Sequence, residues 1–573
     1  MTTSTKNNGA HDFDVLIIGS GMSGGWVAKE MCERGYKTAV LDRGAPLEHG
    51  SGYENESKAP WEMPNRGAVN KAEAAQDYEK SSLCYAFNEY TKRHFIKDSD
   101  FPFQVKKDKR FDWIRSSSIG GKSLLWHRHS YRFSEMDFQA NKHDGYGCDW
   151  PIRYDDLKDW YSYVERFAGI SGSAEGLPQL PDSVFQKPFD MNPVEIDAKA
   201  AIEKAYPTRK IIIGRAAHLT DPTDEQLELG RGPCQARNEC QRGCSWGGYF
   251  SSLSATLPAA ARTGNLTLVP NAMVQEVVYD PGTQKASGVH MLDMVTGDRV
   301  FVSARVVFVC ASTLGTTQIL LNSKSAAFPS GIGNTGGALG HYLMDHISDA
   351  GAFAVVDGYE DIYYSGRRPT SLYVPRFRNV TEQTDEFLRG YGMQGEAQRM
   401  SWPAAIDAQG IGADFKAKIQ KPGPWTFWLK GFGEMLPRHE NHVSLSTTQT
   451  DQWGMPLLEI SCAYSDNEMR MKQDMQKTAT EMLKAAGYKT VSPIYEESYP
   501  GIAIHEMGTA RMGHTANDSY LNAHNQCHNV DNLFVTDGAS MASTACQNPS
   551  LTFMALSARA AAYADEQLKA GVI

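Results

Sequence analysis

The 573-residue chain contains no run approaching the roughly 18 consecutive apolar residues of a membrane span, so no membrane-crossing helix of its own is expected. It has no excess of positive charge either. Its 57 Lys and Arg face 67 Asp and Glu, and a net charge of -10 argues against a nucleic-acid surface. No internal repeat or low-complexity tract interrupts an ordinary globular composition of 41% hydrophobic and 22% charged residues. The opening MTTSTKNNGAHDF is polar and runs straight into an apolar segment, leaving no room for the core of an export signal. By itself it predicts a cytoplasmic protein. Cysteine is sparse, ten residues in all, and three of them bunch in GPCQARNECQRGCSWGG.

Against these absences stands one dense signal, DVLIIGSGMSGGWVAKEMCERGYKTAVLD at residues 14–42. Val15 to Ile18 has the all-apolar character of a buried parallel strand. Gly19, Gly21 and Gly24 form G-x-G-x-x-G: a tight bend, close backbone approach to a pyrophosphate, and close packing of the following helix. Met22 and Ser23 lie in the turn, where the phosphates meet the positive end of that helix. A second strand, Lys37 to Leu41, ends in Asp42, placed for ribose hydroxyls, with Arg43 beside it. The pattern predicts a dinucleotide site and leaves FAD and NAD tied.

Cys234, Cys240 and Cys244 are spaced C-x5-C-x3-C. Zinc usually takes four ligands on closer-spaced knuckles, which this run does not supply. Three thiolates suit an iron–sulfur cluster lacking one corner better than a full cubane. A loop with three ordinary thiols is the remaining alternative, and spacing leaves the choice open.

Elsewhere, residues 45–110 read as a surface excursion without periodicity, and Gly120 and Gly121 open a Ser-rich turn able to wrap a cofactor. Aromatics at helical spacing in DWPIRYDDLKDWYSYVERFAGI are expected in the core. NLTLVPNAMVQEVVYD and ASGVHMLD suggest a hairpin-rich unit, and Arg305 to Cys310 a second buried strand. WTFWLKGFGEML and HVSLSTT predict an antiparallel sheet separate from the parallel one, followed by a helix whose Met stripe is packing. The fold class is therefore α/β: a parallel-sheet, Rossmann-like domain interleaved with an α+β domain built on an antiparallel sheet.

The last 75 residues hold HEMGTARMG from His505, the strand NLFVTDG with Asp537 and Gly538, and an Ala-rich helix starting after Asn548 and Pro549. That helix again aims backbone donors at an electron-rich ring or anion. Together with IGGKSLLW, WPIRYDDL, RVVFVCASTLGTTQILLNS, LGHYLMDH and NPSLT, these segments resemble the glucose–methanol–choline (GMC) oxidoreductase family along essentially the whole chain. The resemblance selects FAD over NAD. It implies an FAD domain from residues 12–50, 105–140, 230–345 and 500–573, with the cysteine loop at 232–246. It assigns 51–104, 141–229 and 346–499 to a substrate domain and excursions.

The family's roles fall on His505 as base and Asn548 as its partner. Asp537 and Gly538 fall on the ribityl chain or flavin; Gly120, Gly121 and Ser123 on the isoalloxazine; Val274 near the adenine; and Ala311, Pro549 and Ser550 among the other FAD contacts. Pyranose oxidases of the family attach FAD to a His where this chain has Leu125, so the flavin is expected to be dissociable. His346, His439, His442 and His514 are the alternative bases. Gln394, Gln398, Trp402 and Glu434 are expected on the sheet facing the flavin, where polar groups and an aromatic suit a sugar.

Within the family the segments are most similar to bacterial FAD-dependent sugar dehydrogenases, above all glucoside 3-dehydrogenase catalytic subunits. That similarity implies a 3Fe-4S cluster on the three cysteines, a cytochrome c acceptor, and a small subunit whose twin-arginine signal carries the chain to the periplasm. The expected activity is oxidation of a pyranoside hydroxyl, at carbon 3, with a proton going to His505 and a hydride to flavin. An oxygen-using pyranose or C-glycoside 3-oxidase, a glucose or gluconate dehydrogenase subunit, and a non-catalytic electron-transfer flavoprotein are the competing readings.

Overall fold

Val15 to Ile18 and Val306 to Val309 are almost fully buried, as strands covered on both faces must be, and in the computed structural model they pair side by side in parallel. The structure describes residues 11–362, 371–400, 410–420 and 422–573. Strand β1 (Phe13–Ile18) pairs with β2 (Thr38–Leu41), and β2 with β3 (Leu266–Val269), all parallel. An antiparallel hairpin, β4 (Ala272–Asp280) and β5 (Lys285–Asp293), feeds the long β6 (Arg299–Val309). The first half of β6 pairs antiparallel with β5 and its second half parallel with β1, Val15 opposite Val306 and Ile18 opposite Val309. Helix α1 (Met22–Glu33) crosses β1 so closely that a Cβ on Gly24 would fall 1.9 Å from the Gly19 carbonyl oxygen. Helix α2 (Thr313–Asn322) leaves the end of β6 in the same way that α1 leaves β1.

The second sheet is antiparallel throughout. Its strands β7 (Ala350–Val356), β8 (Leu372–Val374), β9 (Tyr391–Arg399), β10 (Trp425–Gly433) and β11 (Thr490–Tyr495) lie in the order β11-β7-β10-β9-β8, with the short strand Ile212–Ile213 outside β8. Helix α3 (Asp466–Ala485) starts at a capping box, the Ser465 amide donating to Glu468 Oε2 at 2.6 Å. It lays Met471, Met475, Met482 and Leu483 on one face of the sheet. A Cβ on Gly431 or Gly433 would come within 2.5 Å of the Met475 or Met471 side chain, so the methionine stripe is packing, as its spacing predicts. The opposite face, carrying Gln394 and Phe432, turns toward the parallel sheet.

HVSLSTT departs from expectation. His442–Thr450 pairs with Pro456–Ser461, and that strand with Gln104–Val105, in a separate three-stranded sheet. Pro437 ends the run that leaves β10, and the Asp451–Gly454 turn makes the nearer hairpin partner available.

The tail closes the first sheet: β12 (Leu533–Val535) pairs parallel with β6, Val307 opposite Leu533. Helix α4 (Ser550–Lys569) then packs against α1 and the Tyr154–Ala168 helix. Leu16, Val307, Leu533, Leu551 and Met554 belong to one buried cluster, so the two chain ends share a core. Each such side chain contributes about 1.5–3 kcal/mol on burial.

Candidate active site

Between the two sheets lies a cavity of about 450 Å³. It is lined by residues from both chain ends and the middle: Gly19, Gly21, Met22, Ser23, Asp42 and Arg43 from the first turn, Val274 and Ala311 from the sheet, and His505, Asp537, Gly538, Asn548 and Ser550 from the tail. Gly121, Ser123 and Leu125 line it as well, so no histidine stands at the position where pyranose oxidases attach their flavin. Gly24 and Gly120 support the wall without forming it. Gly24 sets the helix–strand approach, and the Gly120 amide donates to Ser20 Oγ at 2.9 Å from a left-handed conformation (φ 87°). Pro549 is the residue before α4.

The donor chemistry of this cavity fits a dinucleotide. Both α1 and α4 begin at its wall with no side-chain cap and no acidic residue in the first turn, leaving two sets of helix N-terminal amides free for anionic or electron-rich atoms. A Cβ on Gly21 would meet nothing closer than the Gly120 oxygen at 4.0 Å, so that backbone is bare toward the cavity. Asp42 has a second task that its position in the sequence does not reveal. Its Oδ2 accepts from the Ser20 amide (2.8 Å) and hydroxyl (2.6 Å), and Oδ1 from the Gly44 amide (2.7 Å), pinning the glycine turn to β2. At the other end Asp537 Oδ2 accepts from Thr316 Oγ1 at 2.6 Å, and burial pushes its carboxyl up to about 6.

A line of neutral hydrogen bonds fixes His505. His346 Nε2 lies 2.8 Å from the Ala545 carbonyl, which can only accept, so the proton of His346 sits on Nε2 and its Nδ1 is an acceptor. His505 Nδ1, 2.8 Å from His346 Nδ1, is then the donor, which leaves His505 Nε2 unprotonated, with a lone pair that accepts. Asn548 Nδ2 faces that lone pair at 3.3 Å, while Asn548 Oδ1 accepts from Gln394 Nε2 at 2.8 Å. Burial, then the neighbouring His346 and Lys122, hold His505 well below the usual imidazole range; burial lowers His346 to about 4. Both rings are neutral near pH 7. The backbone of His505 is held as well, its amide donating to Asp345 Oδ1 at 3.0 Å and that of Gly501 to Asp345 Oδ2 at 2.6 Å. Burial and the charge of Glu506 push the Asp345 carboxyl up to about 7.

The other candidates separate. Of the alternative bases, His346 stands behind His505; His439 stacks on His341 at 3.9 Å, His442 meets Lys106, and exposed His514 lies 3.6 Å from Asp149, none of these three lining the cavity. Gln394 reaches the site through Asn548. Gln398 shares its face of β9 but is exposed near the strand's end, away from the cavity. Glu434 is a correction: it is fully buried between Arg376 (2.8 Å) and Arg389 (3.4 Å), where two guanidiniums compensate its charge and nothing is left for a ligand. Trp402 lies outside the described residues. Sequence reasoning missed Asp345 and the role of His346, although both fall in LGHYLMDH, and it missed the pair of Lys122 and Glu506 in the cavity wall.

Cys234, Cys240 and Cys244 share one loop outside the cavity. Cys240 Sγ is 3.7 Å from His218 Nε2, Cys244 Sγ accepts from Arg237 at 3.8 Å, and burial pushes the Cys234 thiol up to about 11. Among the described residues no three His, Cys, Asp or Glu side chains are arranged to hold a metal ion. The described residues thus do not show the expected 3Fe-4S site, although Cys234 lies near enough to Cys240 and Cys244 for their charges to act on its thiol. No described helix is long and apolar enough to cross a membrane.

A glycine turn at a helix start, a buried neutral imidazole and an amide aimed at one spot define a flavin-type oxidoreductase site. Residues 13–348 and 437–557 match the two GMC oxidoreductase family models, and the chain belongs to the GMC oxidoreductase family. It is 28% identical to a 2-methyl-1,2-propanediol dehydrogenase of Mycolicibacterium austroafricanum (98% of this chain, 96% of the relative). It is 24% identical to the fructose dehydrogenase large subunit of Gluconobacter japonicus (97% and 98%). Over 53% of the chain and 54% of the relative it is 26% identical to a C-glycoside 3-oxidase of Arthrobacter globiformis. The protein is an FAD-dependent oxidoreductase of alcohol or sugar CH–OH groups, with the GMC fold.

Proposed function

We propose that the protein is a sugar dehydrogenase that oxidises a secondary hydroxyl of a glucoside or related pyranoside, at carbon 3, to the ketone. The observation that carries this reading is the unprotonated Nε2 of His505 facing the Asn548 amide in a cavity shared with the dinucleotide turn. FAD bound there supplies the hydride acceptor. A substrate hydroxyl entering between the two side chains gives its proton to His505 Nε2, and Asn548 Nδ2 donates to the oxygen as charge develops. Gln394 keeps Asn548 turned by holding its oxygen, and His346 keeps the accepting nitrogen of His505 free. Phe432 offers an apolar surface on the sheet side of the cavity, suited to a pyranose face.

Support for a sugar comes from the similarity to a fructose dehydrogenase large subunit, and for carbon 3 from the similarity to a C-glycoside 3-oxidase. The test is anaerobic bleaching of the flavin by methyl glucoside, followed by product analysis for the 3-keto sugar. Bleaching by 2-methyl-1,2-propanediol but by no glycoside overturns the sugar reading. The second reading, an oxygen-using glycoside 3-oxidase, is favoured by the same similarity and is decided by stoichiometric peroxide.

Three finer proposals accompany the main one: electrons leave to a cytochrome c, a small subunit with a twin-arginine signal accompanies the chain, and the complex works in the periplasm. Their support is the likeness to a protein named as a large subunit. Co-expression with a candidate small subunit and assay of periplasmic fractions test them. A 3Fe-4S cluster on Cys234, Cys240 and Cys244 rests on their C-x5-C-x3-C spacing and stays outside the mechanism; three irons per purified chain support it, and iron-free active enzyme overturns it.

A further inference from the structure

Lys122 follows Gly121 in the cavity wall, and its Nζ forms an ion pair of 2.8 Å with Glu506 Oε2, the residue after His505. The pair is surrounded by the cofactor layer rather than by the antiparallel sheet. A Cβ on Gly121 would touch Gly21 at 3.5 Å, the Glu506 carbonyl accepts from Thr313 Oγ1 at 2.5 Å, and a Cβ on Gly538 would lie 2.4 Å from that same carbonyl oxygen. Its charge reaches both ends of this stretch, since Lys122 is felt at His505 and at Asp537. Glu506 is nearly buried, and its second oxygen, Oε1, has no hydrogen-bond partner. The ammonium gives one of its three N–H donors to Glu506 Oε2 and stands at the cavity wall between the glycine turn and His505.

We propose that Lys122 is the cation that stabilises the negative charge the flavin ring acquires on reduction, and that Glu506 is a positioning residue that holds and partly neutralises it. The inference rests on FAD occupying the cavity. Hydride transfer from the substrate carbon brings two electrons to a neutral ring while the hydroxyl proton goes to His505, so one negative charge is added beside the lysine. In a site of low dielectric a fixed cation stabilises that charge more than water does. Removing the cation makes reduction harder; removing its counter-charge makes it easier.

The experiment uses the FAD-loaded full chain and two readouts: the dissociation constant of sulfite, which adds to the flavin and leaves negative charge on the ring, and the two-electron midpoint potential. Lys122→Met is expected to weaken sulfite binding at least tenfold and lower the potential by about 30 mV per tenfold. Glu506→Gln is expected to move both in the opposite direction, and Lys122→Arg to stay within about threefold of the unmodified protein. Flavin fully bound in Lys122→Met with unchanged sulfite affinity overturns the proposal. So does a shift of the same sign in Glu506→Gln, or loss of FAD from Lys122→Met with Glu506→Gln unchanged in potential, which assigns the lysine to the pyrophosphate. Unmodified protein that takes up no FAD removes the flavin reading itself, a different failure from any of these.

Discussion

The His505 site and the cysteine loop are both clusters of chemically capable side chains, and they are built from very different lengths of chain. At His505 each polar group meets a complement from a different part of the chain: residue 346 from the middle, 394 from the antiparallel sheet, 545 and 548 from the tail. At the loop the three cysteines fall within one eleven-residue segment, and the partners of Cys240 and Cys244, His218 and Arg237, are in or near that segment. The first site exists only because packed elements bring distant residues together, whereas the second is carried by one short segment. Beneath the loop, Arg128 Nη2 donates to the Cys240 carbonyl at 2.9 Å, so the loop is tied down by its backbone rather than by its thiols.

The sharpest way to break the contrast is His505→Ala. Turnover should fall on the order of 10² to 10⁴ while the flavin spectrum is kept, because the unprotonated nitrogen of His505 is the proton acceptor beside Asn548; retention of most activity overturns the assignment. Asn548→Ala should cost roughly 10² to 10³ in kcat, the scale of one lost donor to a developing oxyanion. Gln394→Ala should act in the same direction and less, on the order of tenfold, because it works through Asn548.

Glu434→Gln sharpens the comparison from the stability side. It breaks a fully buried pair with Arg376 and Arg389 and should cost about 3–5 kcal/mol, read as a lowered denaturation midpoint, with kcat of the remaining folded enzyme near that of the unmodified protein. A large kcat loss without loss of stability would return Glu434 to the substrate.

The pH dependence has a defined sign. An ordinary imidazole protonates near pH 6.5, whereas the folded site holds His505 below that value and His346 at about 4. As pH falls through 6.5 the base stays neutral, so kcat/KM should hold on the acid side rather than halve there. Stability moves the other way: the unfolded chain takes up protons that buried His346 refuses, so stability present above pH 6.5 is lost progressively toward about pH 4. An activity profile with an acid limb centred at 6.5 contradicts the buried neutral pair. The smallest effect is expected at the loop. Cys240→Ser should leave the anaerobic rate of flavin reduction within about twofold, since the residue lines no part of the cavity.

Much of this was legible in the sequence. The strand–glycine–helix unit, the second buried strand at Arg305 to Cys310, the methionine-striped helix and the GMC motifs at both ends are local patterns whose spacing or residue type carries the information. The misses are of a different kind. Glu434 follows the last residue of the expected strand and is buried between arginines 58 and 45 residues away. HVSLSTT alternates like its predecessor yet pairs with a nearer strand. Alternation reports that a strand has two faces without saying which sheet receives it.

By itself the sequence determined the dinucleotide turn, the apolar strands around it and the chemical types at the tail, because backbone geometry and hydrophobic periodicity act over a few residues. Only the tertiary structure decided that His346 sets the protonated nitrogen of His505, that Gln394 turns Asn548 and that Lys122 stands in the cavity wall. Hydrogen-bond direction and charge compensation depend on distances between residues far apart in the chain, and those distances exist only once the two sheets and the tail have packed.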